Sequence, residues 1–403
     1  MHDTDLRLVE RYLAVRRRSA ALCAPLAIED HVPQPIVDAS PPKWHLGHVT
    51  WFFEAMLLQP HLPGYRVFHP RWAYVFNSYY ESMGERVLRM RRGDLGRPTV
   101  AEVLAYREHV DAAMRRLLES PLDAPLAALV ELGLQHEQQH QELLVTDIKA
   151  ILGLNPLEPA YDPGRVGPLD AAAEHRPAPG SPDAWLRWPG GTTEIGHDGD
   201  GFAFDNESPR HAVAVGPFEL RAAPVTNAEW LAFMADGGYE RFEFWHAEGW
   251  DWVRTLERRA PMYWRPDPDR PGGWLHYALD GTAPVPQSAP VTHVSFYEAA
   301  AFCRWAGWRL PTEPEWEALA PRIEPGARWE WTNSAYLPYP GFRPARGPVG
   351  EYNGKFMVGQ HVLRGASFAT PPGHARRTYR NFFHPPLRWQ YTGVRPARDL
   401  ETA

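Results

Sequence analysis

Leu134-Gln135-His136-Glu137-Gln138-Gln139-His140-Gln141-Glu142-Leu143-Leu144 lies inside residues 124–152, a run long and apolar enough to form one helix. Gly133 is the only glycine between its ends, and no proline follows Pro125. Residues four apart share a helical face, so His136 and His140 point the same way and can hold one metal ion between them. Three more segments surround this helix in sequence. Residues 5–22 repeat Leu6, Val9, Leu13 and Leu8, Tyr12, Val15 at helical spacing. A second helix is expected to open at Ser40-Pro41-Pro42, a hydroxyl cap followed by prolines tolerated in a first turn, and to run through Trp51-Phe52-Phe53-Glu54 to Leu58. A third opens at Thr99-Val100-Ala101-Glu102, a capping-box pattern, and carries Leu104, Val110, Met114 and Leu117. Four helices with apolar stripes predict a bundle, and bundles build metal sites from side chains on facing helices.

His136-Glu137-Gln138-Gln139-His140 also spells the H-E-x-x-H helix of zinc peptidases. Gln141-Glu142 follows it, without the downstream ligands of that class, so a third ligand must come from elsewhere. Trp44-His45-Leu46-Gly47-His48 offers one, with His45 and His48 sharing much of a helical face. Glu142 stands two residues beyond His140, roughly 200° around the helix, and is expected to turn away from the metal into the bundle. Residues 59–98 are too long for an ordinary bundle connection and rich in Tyr, Trp, Phe and Arg. Such a segment is expected to be ordered and to reach the metal.

The rest of the chain has a different character. Residues 155–183, dense in Pro, Gly, Ala and acidic side chains, read as a linker. From residue 184 short strand-like runs (192–195, 211–215, 291–294, 361–363) alternate with Gly/Pro turns, with helices at 227–235 behind Thr226 and at 297–306 behind Ser295. The fold class is therefore α+β, divided into 1–154, 155–183 and 184–403, without internal repeats. With 403 residues there is room for this many parts, and 17 Trp, 16 Tyr and 42 Pro suit a loop-rich domain pinned by aromatic side chains. A net charge of -7 gives no bulk attraction to nucleic acid or to an anionic membrane, and neither is expected as a partner. Met1-His2-Asp3-Thr4-Asp5 lacks the basic lead of a signal peptide, and no stretch approaches the ~20 apolar residues of a membrane helix. Cys23 and Cys303, far apart, read as buried thiols suited to the cytoplasm.

Trp44-His45-Leu46-Gly47-His48 with His136-x-x-x-His140-x-Glu142 resembles the DinB-like bundle of the ergothioneine-type sulfoxide synthases. Pro224-Val225-Thr226-Asn227-x-Glu229-Trp230, Trp308-Arg309-Leu310-Pro311-Thr312-Glu313-x-Glu315-Trp316-Glu317 and Val362-Leu363-Arg364-Gly365-x-Ser367 resemble the formylglycine-generating-enzyme fold, itself similar to a C-type lectin. Asn77-Ser78-Tyr79-Tyr80, Tyr352-Asn353-Gly354-Lys355-Phe356 and Thr378-Tyr379-Arg380-Asn381-Phe382-Phe383 are similar to the bacterial ergothioneine branch. The resemblance implies a ferrous, non-haem iron that uses dioxygen to join the sulfur of cysteine or γ-glutamylcysteine to carbon 2 of hercynine as a sulfoxide.

It also implies roles. His136, His140 and His48 become the iron ligands, and His45 packs behind them. Gln139 touches the hercynine pocket. Tyr79 or Tyr80, with no choice between them, supplies a proton or hydrogen atom to the reacting oxygen. Arg89 and Arg92, in Arg86-Val87-Leu88-Arg89-Met90-Arg91-Arg92, clamp the carboxylate of the thiol substrate. Asn381, Phe382 and Phe383 close the pocket from the C-terminal half, the asparagine on the hercynine carboxylate and the rings on its trimethylammonium group. Trp305, Trp308, Trp316, Trp329 and Trp331 read as scaffold. Ala366 and Phe368 stand where some formylglycine-generating enzymes carry reactive cysteines, so that chemistry is not expected. Ovothiol-type synthases, which act at carbon 5 of histidine, and selenium-transferring relatives share the scaffold. A lectin-like binding module with a structural zinc is the non-enzymatic alternative, disfavoured because no cysteine lies near the three histidines in sequence.

Overall fold

Four long helices form in the first part of the chain, the last two opening on side-chain caps. The computed structural model describes residues 3–161, 169–199, 201–324 and 327–400, so part of the expected linker, 162–168, lies outside the described residues. Helix α1 is Asp3–Cys23 and α2 is Pro42–Phe53, which runs on through a wider π-type turn at Glu54–Leu58 into α3, Gln59–His61. Short α4 (Trp72–Phe76) interrupts the long connection, and α5 is Val100–Leu118. Helix α6 spans Ala124–Gly153. Helix α2 lies against α5 and α6, and α1 against the same two.

Of the two starts expected from sequence, at Thr99 and Ser40, one is found. Thr99 accepts from the Glu102 amide at 3.2 Å while Glu102 accepts from the Thr99 amide at 2.7 Å, the expected capping box. Asp123 caps α6 by accepting from the Leu126 amide at 2.8 Å. Ser40 is not the cap of α2. That position is Pro41, and the Ser40 amide instead donates to Asp147 Oδ2 at 2.7 Å. Close approach between α2 and α6 depends on Gly133, where an added Cβ would stand 2.8 Å from the Phe53 ring.

Two units divide the described chain. The first holds Met1–Ala171 with Leu279–Gly281 and Arg346–Tyr352, and the second holds Ala172–Ala278, Thr282–Ala345 and Asn353–Ala403. In the second, β1 (Trp185–Trp188), β4 (Phe218–Arg221) and β12 (Ala397–Asp399) form an antiparallel sheet, and β2 (Gly191–Ile195) pairs with β3 (His211–Val215). A third sheet joins β5 (Trp264–Pro266), β6 (Trp274–Ala278) and β7 (Gly281–Pro284). The fourth runs in the order β10 (Asn381–Phe383), β9 (His361–Gly365), β8 (Trp329–Ala335), β11 (Thr392–Gly393). Helices α7 (Asn227–Ala235), α8 (Ala247–Thr255), α9 (Phe296–Trp305) and α10 (Glu313–Leu319) fill the rest, and Thr226, Ser295 and Thr312 each close a capping box.

A core of Val215, Phe218, Leu220, Trp316, Leu319 and Ile323 seals the β4 sheet against α10, each large side chain contributing about 1.5–3 kcal/mol by leaving water. Residues 291–294 are not a strand, contrary to expectation, because His293 adopts the left-handed region (φ 61°) and breaks the extended run. Trp316, Trp329 and Trp331 are buried scaffold, and Trp331 donates to the Val294 carbonyl at 2.9 Å. Cys23 and Cys303 are free and buried. No helix among the described residues is long and apolar enough to cross a membrane.

Candidate metal centre

Helix α6 presents His136 and His140 one turn apart, and α2 brings His48 against them. One ring nitrogen from each of the three lies within 4.8 Å of the others. His48 and His136 are buried and His140 is partly exposed. Phe52 covers His136, their ring centroids 4.6 Å apart.

Hydrogen bonds assign the tautomers. The long connection reaches the cluster through Phe76, whose carbonyl accepts from His48 Nδ1 at 2.6 Å. A neutral His48 then presents a lone pair at Nε2, which faces His136 Nε2 at 3.2 Å. Asp147 Oδ2 accepts from His45 Nε2 at 2.8 Å, which leaves His45 Nδ1 to accept from His140 Nδ1 at 2.9 Å. His140 therefore also offers its Nε2 lone pair. Both ring nitrogens of His45 are engaged, one by Asp147 and one by His140, and His45 stands outside the trio. His136 Nδ1 is buried without a hydrogen-bond partner among the described residues.

The charge state fits the same picture. Burial pushes His136 down to about 3, and burial together with the neighbouring histidines drives His48 and His140 well below the ordinary imidazole range. Three neutral imidazoles with converging lone pairs form a donor set for a borderline metal such as iron or zinc. Glu137, the glutamate of the H-E-x-x-H pattern, cannot act as a peptidase base here. Its carboxylate is held by Arg16 Nη1 at 2.8 Å, Arg107 Nη2 at 3.1 Å and Ser19 Oγ at 2.6 Å in the bundle interior. Glu142 is buried and stands outside the trio, as its position on the helix predicts.

Around the trio the first unit gathers polar groups. Trp44 stacks on His48 with ring centroids 4.7 Å apart and planes at 9°, and the Arg92 guanidinium lies 3.3 Å over the other end of that stack. Arg92 is buried, and its Nη atoms donate to two neutral hydroxyls, Ser40 Oγ at 2.8 Å and Ser78 Oγ at 2.9 Å. Burial lowers this guanidinium to about 9. Arg89 donates to the Tyr79 hydroxyl at 2.9 Å and to the Asp38 carbonyl. Tyr80 packs its ring on Trp51 and Phe52 and buries its hydroxyl without a partner among the described residues.

Two residues with clear places here were not singled out from sequence. Tyr352, in the segment Arg346–Tyr352, donates to Gln139 Oε1 and sets its ring edge-on to His136 at 5.5 Å. Asp147 was visible in principle, because seven residues beyond His140 is two turns along the same helical face. In the second unit Asn381–Phe383 forms the edge strand β10. Phe382 stacks on Tyr336 at 4.1 Å, Phe383 packs on Trp389 at 5.5 Å, and Asn381 Oδ1 accepts from the Phe382 amide at 2.9 Å.

Residues 11–144 match the DinB superfamily, and residues 171–323 match the sulfatase-modifying factor enzyme 1-like domain. A protein described as hercynine oxygenase from Mycolicibacterium smegmatis is 31% identical over 90% of this chain and 91% of its own length. Another so described, from Mycobacterium tuberculosis, is 30% identical over 90% and 91%. A formylglycine-generating enzyme of Streptomyces coelicolor is 36% identical over 40% of this chain and 55% of its own.

Proposed function

The chain belongs to the hercynine oxygenase family, and from that premise we propose that it is an iron(II)-dependent sulfoxide synthase acting on hercynine and a thiol. The thiol is cysteine or γ-glutamylcysteine, its sulfur is joined to carbon 2 of the hercynine imidazole, and dioxygen is the oxidant. The convergence of His48, His136 and His140 carries this reading. The donor set fits a ferrous ion on chemical grounds, since lone pairs at Nε2 of His48 and His140 are freed by hydrogen bonds at Nδ1. The close pair His48 Nε2 and His136 Nε2, 3.2 Å apart, is a spacing that needs a proton or cation between the rings. When bound, the ion would supply redox chemistry and open coordination positions for sulfur and dioxygen.

The chain's own residues do the rest. Arg92 holds a positive charge against neutral hydroxyls, so a substrate carboxylate would meet a desolvated guanidinium able to pair bidentately. Arg89, ten residues after Tyr79, donates to its hydroxyl and holds that ring in place. Gln139 and Tyr352 offer an amide and a phenol beside His136, and the phenol is the group best placed to hold or pass a proton at the reacting atoms. Asn381, Phe382 and Phe383 are proposed to bind the hercynine carboxylate and trimethylammonium group. Anaerobic loading with ferrous iron, followed by dioxygen consumption and mass spectrometry of products, tests the proposal. Uptake that requires both thiol and hercynine, and disappears in His136→Ala, is expected. Equal turnover with histidine in place of hercynine would overturn the substrate assignment.

A further inference from the structure

The three imidazoles of the centre have unequal support behind them. His136 Nδ1 is buried with no partner among the described residues, His48 Nδ1 donates to a neutral carbonyl, and His140 Nδ1 donates into a second imidazole that ends on a carboxylate. We propose that Asp147 and His45 are a paired positioning device for His140, fixing which nitrogen it presents and making it the strongest donor of the three. This rests on the reading of the trio as a metal site.

A carboxylate only accepts, so the 2.8 Å contact places a hydrogen on His45 Nε2. The remaining nitrogen of a neutral His45 is then an acceptor, and the 2.9 Å contact places the hydrogen of His140 on Nδ1. His140 then has one nitrogen left, Nε2, to serve as its ligand atom in the group it forms with His48 and His136. The negative end of the chain is not diluted by water, because His45 is 4% and Asp147 2% exposed. An electron-rich group behind a ligating imidazole raises its basicity and holds its ring plane, and loss of such a group typically costs 10–100-fold in metal affinity. Asp147 also accepts the Ser40 amide just before α2, so a single carboxylate ties together both helices that supply ligands.

Asp147→Asn removes the charge while its side-chain oxygen can still accept from Ser40 and His45. His45→Phe removes the relay and keeps a ring of similar size. The full chain is loaded anaerobically with ferrous iron, and separately with cobalt(II), whose visible bands report ligand strength and symmetry. Affinity is expected to fall about 10–100-fold in both variants, with shifted cobalt bands and a higher reduction potential of the bound iron. The melting temperature of metal-free Asp147→Asn should stay within a few degrees of wild type. Unchanged affinity and bands in both variants would overturn the pairing, as would a lowered melting temperature with affinity intact, which marks a purely structural role. A wild-type chain that takes up neither ion overturns the metal reading itself, and is distinguishable from those outcomes.

Discussion

Tyr352 donates its hydroxyl to Gln139 on α6 and lies edge-on to His136, so a phenol from far along the chain stands beside the histidine trio. Tyr79 and Tyr80 stand differently, the first with its hydroxyl bonded to Arg89 and the second packed against Trp51 and Phe52. A group that delivers a proton must be within reach of the reacting atoms before its acidity matters. Tyr352→Phe is therefore expected to cut sulfoxide formation by about 10²–10⁴-fold while metal binding is retained. Tyr79→Phe should cost far less. Product analysis that separates sulfoxide from oxidised thiol checks this, and a Tyr352→Phe enzyme with wild-type product ratios would remove the tyrosine from the chemistry.

Arg92 invites a similar split between binding and turnover. Its guanidinium is stacked on Trp44 and bonded only to hydroxyls among its described hydrogen bonds. Arg92→Lys keeps a charge and loses the planar fork that matches a carboxylate. Loss of a hydrogen bond to a charged group is worth about 1.5–3 kcal/mol, so KM for the thiol should rise at least tenfold, with kcat changed much less. Initial-rate measurements with the thiol varied at saturating hercynine decide it.

How much of this was legible follows from the kind of signal involved. The helix pairing of His136 with His140 is a local period, and the capping box at Thr99 is a local motif, so both could be read directly. That His45 and not His48 is engaged by a carboxylate was not readable from spacing, because Asp147 comes from another helix. Ser40 looked like a helix cap by type, yet tertiary bonds to Asp147 and Arg92 claim it. Residues 291–294 have strand composition, but the positive φ at His293 is a tertiary constraint that composition cannot reveal. Tyr352 was visible as part of a motif, and only folding showed which ring it meets.

Gly47 illustrates how packing behind the site reaches the ligands. A Cβ at this position would stand 2.1 Å from Phe76 Cε1, and Phe76 is the residue whose carbonyl holds His48 Nδ1. Gly47→Ala must therefore push Phe76 aside. Overpacking of this kind typically costs about 1–3 kcal/mol, and metal affinity should fall with it. Thermal melts combined with cobalt titration test the coupling. Full affinity in a destabilised variant would show that Phe76 can yield without disturbing His48.

Glu137 sits next to His136 in sequence, yet its importance is to stability. Burial alone would raise its carboxyl, but Arg16, Arg107 and the hydrogen bond from Ser19 override burial and hold it at about 2. The ordinary glutamate value is about 4.3, so between these two values the unfolded chain binds a proton that the folded chain does not. Stability from this group is then fully present above the unfolded value and is lost as pH falls towards the folded one. Glu137→Gln leaves two buried guanidinium groups facing a neutral amide, and breaking one side of such a network costs about 3–5 kcal/mol. Urea unfolding at neutral pH should show that loss for the variant. The difference between variant and wild type should shrink as pH is lowered from about 4.3, because protonation of Glu137 makes the wild type resemble the amide. A gap that stays constant down to the acid limit of folding would mean that the carboxylate charge is not what holds Arg16 and Arg107 in the bundle.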